Sequence, residues 1–491
     1  MNPRHRQPLA AGFLAAVLLA GVAACRTVGP DPVAPDLDAG PPFEAPAPPA
    51  VGAAPAGTDW WRQFDDPAVA GLIDRGLAAN LDLQAAESRI LEADALRRRA
   101  RSDRLPTLDA EAGAGISYTR RLDGTGPGAD PEGAVSAGGV FEWTADLFGG
   151  RERAEQGAAA DLLREAWLSQ AVALDVAGEV AATYTGLRAL ERRLALGRES
   201  LALQRRTLEI VRGRVEAGLA PDLDLARARA AVADLEAGLA PIRADIALAE
   251  DLLAVLLAEP PAGFAVPEGA GIPALTAGPP LGLPADLLRR RPDLQAAEYA
   301  VVAALAEIGV AEAALYPDLR LPGRLTLSAD GLGTGSVVET VLAALTATLD
   351  IPLFDAGGRQ AEVDAAEERA RRALLNYRAV LLTALREVEA AMIDHAAARE
   401  RLAALDRAVA ANRQAVEQAQ ALYGGGLVGF IEVLDAQRAL TVALQQRAAA
   451  QADLTLALIA LYRAAGFAPC PPAGGPAAAL LDACAAVAPV G

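Results

Sequence analysis

Few residues in this chain are placed to do chemistry. Only two histidines, His5 and His395, and three cysteines, Cys25, Cys470 and Cys484, occur in 491 residues. Two histidines so far apart argue against a histidine metal site. No Gly-rich phosphate loop, no nucleophile–base pair and no ligand cluster stands out, so no catalytic residue, cofactor or metal is assigned. Any work the protein does must then draw its energy from a partner. One pair does share a helical face: Ile431 and Asp435 lie one turn apart. Copied around an axis, they would form an apolar ring above an acidic one, the way pores close and select. On spacing alone, a solvated surface pair fits as well. A net charge of −18 argues against nucleic acid as a partner.

The N-terminus reads as an address. Arg4 and Arg6 make a basic start, Leu9 to Ala20 is a short apolar run, and Val22-Ala23-Ala24-Cys25 follows. The run is shorter than the ~20 residues of a membrane-spanning helix, which points to an export signal over residues 1–24. The segment ending at Cys25 resembles the lipobox of bacterial lipoproteins. That resemblance implies acylation of Cys25 and, with Arg26 after it rather than an acidic residue, delivery to the outer membrane. An ordinary cleaved signal with a chance cysteine is the alternative. Several acyl chains on one residue anchor firmly where a single chain would not. Residues 25–59, rich in Pro, Ala and Gly, read as an extended anchor and linker. Cys470 and Cys484 sit in a Pro/Ala-rich tail, 467–491, where either a disulfide or two free thiols would suit an exported protein.

What would position such residues is a duplicated framework. Asn80-Leu-Asp-Leu-Gln-Ala-Ala-Glu87 returns as Arg291-Pro-Asp-Leu-Gln-Ala-Ala-Glu298, Pro106 as Pro317, and Gly218-Leu219 as Gly426-Leu427. A repeat this long is a doubled half-molecule, not a solenoid unit. The first copy covers 60–265, a Pro/Gly-rich linker covers 266–284, and the second copy covers 285–466. Arg151 to Ala217 contains no proline, and Leu187, Leu190, Leu194, Gly197, Leu201, Gln204 and Leu208 step by three and four. Leu402, Leu405, Val409, Asn412, Val416 and Tyr423 repeat that seam, with Asn412 matching Gln204 as its polar interruption. Breaks at Gly218 and Gly426 are followed by new heptad seams, so each copy should hold a long antiparallel hairpin, over 151–258 and 358–465. Both tips should lie at the same end.

Ahead of each hairpin the period changes to two. Residues 107–119, 135–147, 319–329 and 345–353 alternate apolar with polar or small, as strands of membrane-crossing length do. The Gly-rich stretches Asp123–Gly128 and Asp330–Gly335 would be the outer loops. A half-buried sheet on a soluble domain is the competing reading. Four strands cannot close a barrel, and open edges are forbidden in lipid. Two copies would give eight strands around a filled interior; three would give twelve around a lumen. A homotrimer is the simplest closed answer.

These segments together resemble the TolC-like outer membrane factors, of the NodT/OprM efflux lipoprotein type. The likeness is carried by Trp60-Trp61-Arg-Gln-Phe64-Asp-Asp-Pro67, Asn80-Leu-Asp-Leu83, Leu283-Pro-Ala-Asp-Leu-Leu-Arg-Arg-Arg-Pro-Asp293, Ile308-Gly309 with Tyr316-Pro317, Pro352-Leu-Phe-Asp-Ala-Gly-Gly-Arg359, and Val433-Leu-Asp-Ala-Gln-Arg438. It implies a mainly α tube with a membrane β-barrel portion, four transmembrane strands per chain and twelve per trimer. It also implies outer membrane lipid around the barrel, a periplasmic adaptor protein, and an inner-membrane pump of the resistance-nodulation-division type. Gly218, Leu219, Ala220, Gly426, Leu427 and Val428 resemble the adaptor-contact tips, although a plain turn would read the same. Ile431, Asp435 and Arg438 resemble the periplasmic gate; the first copy departs there, with Leu223 and Arg227 at the matching places. The expected function is a passive exit duct for drugs or other small molecules. An exit duct for type I protein secretion is the alternative within this fold, and a non-conducting coiled-coil tether the alternative outside it.

Overall fold

The computed structural model describes residues 27–33, 43–45, 59–118, 131–269, 271–275, 277–279, 290–332, 337–471 and 475–481. The export signal, Cys25, the 123–128 loop, Leu283–Arg289 and Cys484 lie outside the described residues. The chain divides into two compact units. One is built on Leu91–Arg164 and Ala297–Tyr377, the other on Leu37–Ile90, Glu165–Ala296 and Arg378–Gly491.

The described elements follow one another as α1 (Pro67–Ala79), α2 (Leu81–Ser102), β1 (Thr107–Ser117), β2 (Glu132–Ala145), α3 (Gly150–Glu216), α4 (Asp222–Leu256), α5 (Pro292–Ala313), β3 (Asp318–Leu332), β4 (Val338–Leu345), β5 (Thr348–Asp350), α6 (Gly358–Gly424) and α7 (Phe430–Ala464). The duplication is metrical as well as textual. Helices α3 and α6 both have 67 residues, α4 and α7 both 35, and α2 and α5 both 22. At ~1.5 Å per residue, α3 and α6 are each ~100 Å long.

In the sheet unit, β1 pairs β2, β2 pairs β3, and β3 pairs β4 and β5, all antiparallel. The fourth strand begins earlier than the expected 345–353, at Val338, and is broken after Leu345. The cause is Pro322, which sits inside β3. Its carbonyl accepts from the Thr346 amide, but proline has no N–H to return, so the ladder lapses until Arg320 meets Thr348. Strand β3 also runs to Leu332, taking in residues expected in the 330–335 loop. Among the described residues, β1 and β4 each leave one edge unpaired, and Leu108, Ile116, Val341 and Leu345 are more than two-thirds exposed. In the same unit, Ile308 and Ala311 of α5 pack on Val363, Ala366 and Ala370 of α6.

The linkers are less free than their composition suggests. In the sheet unit, the Val28 amide donates to the Phe148 carbonyl. Buried Arg153 holds the carbonyls of Val28 and Gly29 and the carboxylate of Asp31. A Pro/Gly-rich segment forms no ladder of its own, so its backbone groups find side-chain partners instead.

In the helical unit the core gathers around Trp60, Trp61, Phe64, Tyr184 and Tyr462. Trp60 stacks on Tyr462 with ring centroids 5.2 Å apart. Asp66 explains the rest of the Trp-Trp motif. One carboxylate oxygen caps α1 at the Ala68 amide, and the other accepts from the Tyr184 hydroxyl at 2.7 Å. Burial, then the bond to Asp66, pushes the Tyr184 phenol up to about 12. The linker between copies is stitched across this core: Phe64 bridges Leu275, Thr455 holds the Pro273 carbonyl, and Tyr462 the Ala277 carbonyl. Cys470 is disulfide-bonded, with its partner outside the described residues.

Each returning helix ends against its own copy's entry. In the first copy, Asn80 caps α2 with its carbonyl oxygen, at the amides of Asp82 and Leu83, and donates its Nδ2 to the Leu256 carbonyl at 3.0 Å. In the second, Arg291 stands where Asn80 stood. It donates to the Ala464 carbonyl, which corresponds to that of Leu256, and also to Asp293 and Glu387. Two chemically different side chains therefore satisfy the same orphan carbonyl at the end of a helix.

Candidate functional site

The tips of the two hairpins are built alike. The Gly218 amide donates to the Val215 carbonyl and the Leu219 amide to that of Arg214. Gly426 and Leu427 do the same with Tyr423 and Leu422. These are Schellman closures, which need a left-handed residue, and both glycines have φ of +72°. A Cβ at either would meet nothing within 4 Å, so backbone conformation alone demands glycine there. The closures leave Leu219 and Leu427 69% and 75% exposed. Ala220 and Val428 follow as the chain turns into the next helix.

Below the tips, one apolar cluster joins the hairpins: Val211 of α3, Ala228 and Ala231 of α4, and Phe430, Val433 and Leu434 of α7. Phe430 is buried at the first position of α7 and fixes that helix's rotation. With Phe430, Val433, Leu434 and Gln437 turned inward, Ile431, Asp435 and Arg438 share the exposed face. Among the described residues, neither Asp435 nor Arg438 has a hydrogen-bond or ion-pair partner within the chain. Their first-copy counterparts differ: Leu223 is exposed, but Arg227 lies 3.7 Å from Asp224. The face that is charged and unpaired in one copy is internally neutralised in the other.

Two braces here were not read from the sequence. Arg214, in the last turn of α3, donates to the Tyr423 carbonyl at 3.1 Å, and its guanidinium lies 4.6 Å over the Tyr423 ring. It thus supplies a cation at the C-terminal end of α6, where the helix dipole favours one. Gln437 of α7 reaches Thr207 of α3, and Thr441 reaches Ser200. A basic residue in the last turn of α3 was the one available hint of the first brace. Nothing local marks the second, because the partners are more than 200 residues apart.

The helical unit is built of long hairpins, and the sheet unit carries an antiparallel sheet with exposed apolar side chains. The outer membrane efflux protein family matches residues 72–259 and 283–467, more than half of the chain, and the chain belongs to that family. It is 30% identical over 391 residues to nodulation protein T of Rhizobium leguminosarum bv. trifolii, covering 78% of this chain and 82% of that one. It is 31% identical over 421 residues to the pyoverdine export outer membrane protein OpmQ of Pseudomonas aeruginosa, covering 83% and 86%. Its fold is similar to that of the outer-membrane channel OprN, with a TM-score of 0.80 at 30% identity over 89% of this chain and 99% of that one. The fold is therefore the TolC-like one, helical hairpins with a β portion, and the protein is an outer membrane channel component rather than an enzyme.

Proposed function

We propose that three copies of this chain form the passive exit duct of a tripartite pump that moves small molecules out of the cell. The observation that carries this reading is the incomplete sheet. Its four antiparallel ladders of strand end in two free edges, and its apolar side chains stay exposed in the single chain. Lipid tolerates neither free edges nor an open sheet, and three copies supply twelve strands in a closed ring. The relative named for pyoverdine export supports a small-molecule cargo. Selection of that cargo falls to the inner-membrane pump, of the resistance-nodulation-division type.

Within this reading, Cys25 carries the lipid anchor in the outer membrane. Exposed Leu219 and Leu427, held out by Gly218 and Gly426 and flanked by Ala220 and Val428, dock a periplasmic adaptor. Ile431, Asp435 and Arg438 line the periplasmic gate. An unpaired carboxylate beside an unpaired guanidinium on an outward face suits contact with a neighbouring copy. The test is single-channel conductance of the purified protein in planar bilayers. Wild type should conduct rarely, and Asp435→Ala should open more often. A trimer that never conducts, in either form, overturns the duct.

A further inference from the structure

Helix α2 ends in a run of arginines that the framework does not need. Arg98, Arg99 and Arg101 are exposed in its last turns. Arg98 shares Asp94 with Arg97, but its side chain stays 67% exposed. Among the described residues, the guanidinium groups of Arg99 and Arg101 have no hydrogen-bond or ion-pair partner. A cation suits the C-terminal end of a helix, yet the second copy does without one. Counted from the match of Pro106 with Pro317, Gly309, Val310 and Glu312 stand at those three places. Helix α5 has the same 22 residues as α2 and no basic residue in its last turn, and it still packs on α6.

Their place in the chain says what they meet. Only residues 103–106 separate α2 from β1. Trp143, near the end of β2, donates its indole N–H to the Arg104 carbonyl at 3.1 Å, and Leu105 and Leu108 are 60% and 79% exposed. An indole with exposed leucines on one side and arginines on the other is how a membrane protein passes from acyl chains to headgroups. We propose that Arg98, Arg99 and Arg101 bind the phosphate of an anionic phospholipid headgroup, of the phosphatidylglycerol type, in the leaflet that faces the periplasm. This rests on the reading of the sheet as part of a membrane barrel. A guanidinium holds a phosphate through two parallel N–H···O bonds. The chain as a whole carries −18, so an anionic headgroup is drawn to this patch and repelled by most of the remaining surface. The two copies then divide the work at the foot of the sheet. Gly309 of α5 seats the N-terminal strap, where a Cβ on Gly29 would collide with the Gly309 Cα. Arg98, at the matching place on α2, is left open to lipid.

The experiment places the full-length protein in nanodiscs of equal phosphatidylglycerol and phosphatidylcholine, releases it into a nonionic detergent, and counts the retained lipids by native mass spectrometry. Wild type should retain phosphatidylglycerol over phosphatidylcholine by about tenfold or more, as two or three basic residues at a membrane surface give. Arg98→Gln/Arg99→Gln/Arg101→Gln should retain the two lipids equally. Arg407→Gln/Arg413→Gln, at exposed positions on α6, should behave as wild type. Glutamine is nearly as good a helix former as arginine, and Asp94 keeps Arg97, so the triple variant should match wild type in circular dichroism. Should it fail to fold, Arg101→Gln alone must lower the preference about twofold or more. No preference in wild type, or a preference that these variants keep, overturns the site. Loss of the preference to millimolar inorganic phosphate, but not to chloride of equal ionic strength, makes the site one for free anions and overturns the lipid. A triple variant that keeps the preference but runs as monomers on native gels sets the arginines against a neighbouring copy, and the proposal fails. If neither wild type nor Asp435→Ala conducts, the duct reading fails while the lipid count still decides the arginines.

Discussion

Replacing Arg291 tests the equivalence of the two copies most directly. Its guanidinium serves three partners, and they are not equal. The Ala464 carbonyl is at a buried residue and, among the described residues, has no other partner once Arg291 is gone, which costs about 1–3 kcal/mol. Glu387, with a side chain 39% exposed, returns to water, so that pair is worth only about 0.5–1 kcal/mol. Asp293, two residues away and 41% exposed, adds little. Arg291→Ala should therefore cost about 2–4 kcal/mol by these terms. Arg291→Asn should cost about 0.5–1 kcal/mol, because it keeps a donor for the Ala464 carbonyl and loses only the exposed pairs with Glu387 and Asp293. Asn80 makes the matching carbonyl bond in the first copy, and the main chains at Arg291 and Gly466 already touch, since a Cβ on Gly466 would lie 2.9 Å from the Arg291 Cα. The assay is denaturant unfolding in detergent, followed by circular dichroism. A variant series in which Asn is no better than Ala, or in which Ala costs under about 0.5 kcal/mol, refutes the shared capping role.

The caps themselves make a second pair of tests. Ala258 occupies the left-handed position that Gly466 fills in the other copy, at φ of +55° against +76°. Ala258→Gly should therefore stabilise by up to about 1 kcal/mol, and Gly466→Ala should destabilise, both read from unfolding midpoints. At the tips, Gly218→Ala with Gly426→Ala should cost about 1–2 kcal/mol each in local order alone. Hydrogen exchange around both turns should rise and adaptor capture fall while trimers persist on native gels; unchanged exchange at the turns refutes the backbone argument. His395 gives a pH signature. Burial, then nearby Arg399, holds its imidazole below the ordinary 6.5. The unfolded chain then binds the extra proton more readily, so this part of the stability is present above pH 6.5 and is lost as pH falls toward the folded value. His395→Gln should flatten the acid limb of the stability profile, and an unaltered limb would rule His395 out as its source.

Much of this architecture is written in the sequence because helices and turns are local. A proline-free run bounded by Gly218, or by Gly426, sets helix and hairpin at once. The period-two strands were legible too, but β4 was not, because the residue that interrupts it, Pro322, lies on the strand opposite. The same distance hides the Arg214–Tyr423 and Gln437–Thr207 braces: a heptad seam says which residues are buried, not which helix they meet. The face holding Ile431, Asp435 and Arg438 follows from spacing and from Phe430 turning inward. The link between Asn80 and Arg291 was visible only as one of two mismatches, beside Leu81 against Pro292, in a repeat whose other six positions agree.

The free edges of β1 and β4 bear on how the protein is made. A lone chain presents a row of unpaired amides and carbonyls on each side of its sheet, and a bilayer has nothing to offer them. Such a chain cannot enter the membrane first and find its partners afterwards. For the proposed trimer, biogenesis must bring copies together before or during insertion, so the yield of inserted protein should climb more steeply than in proportion to the amount synthesised. A chain in surplus would wait in the aqueous space with its strand edges open to any other strand it met.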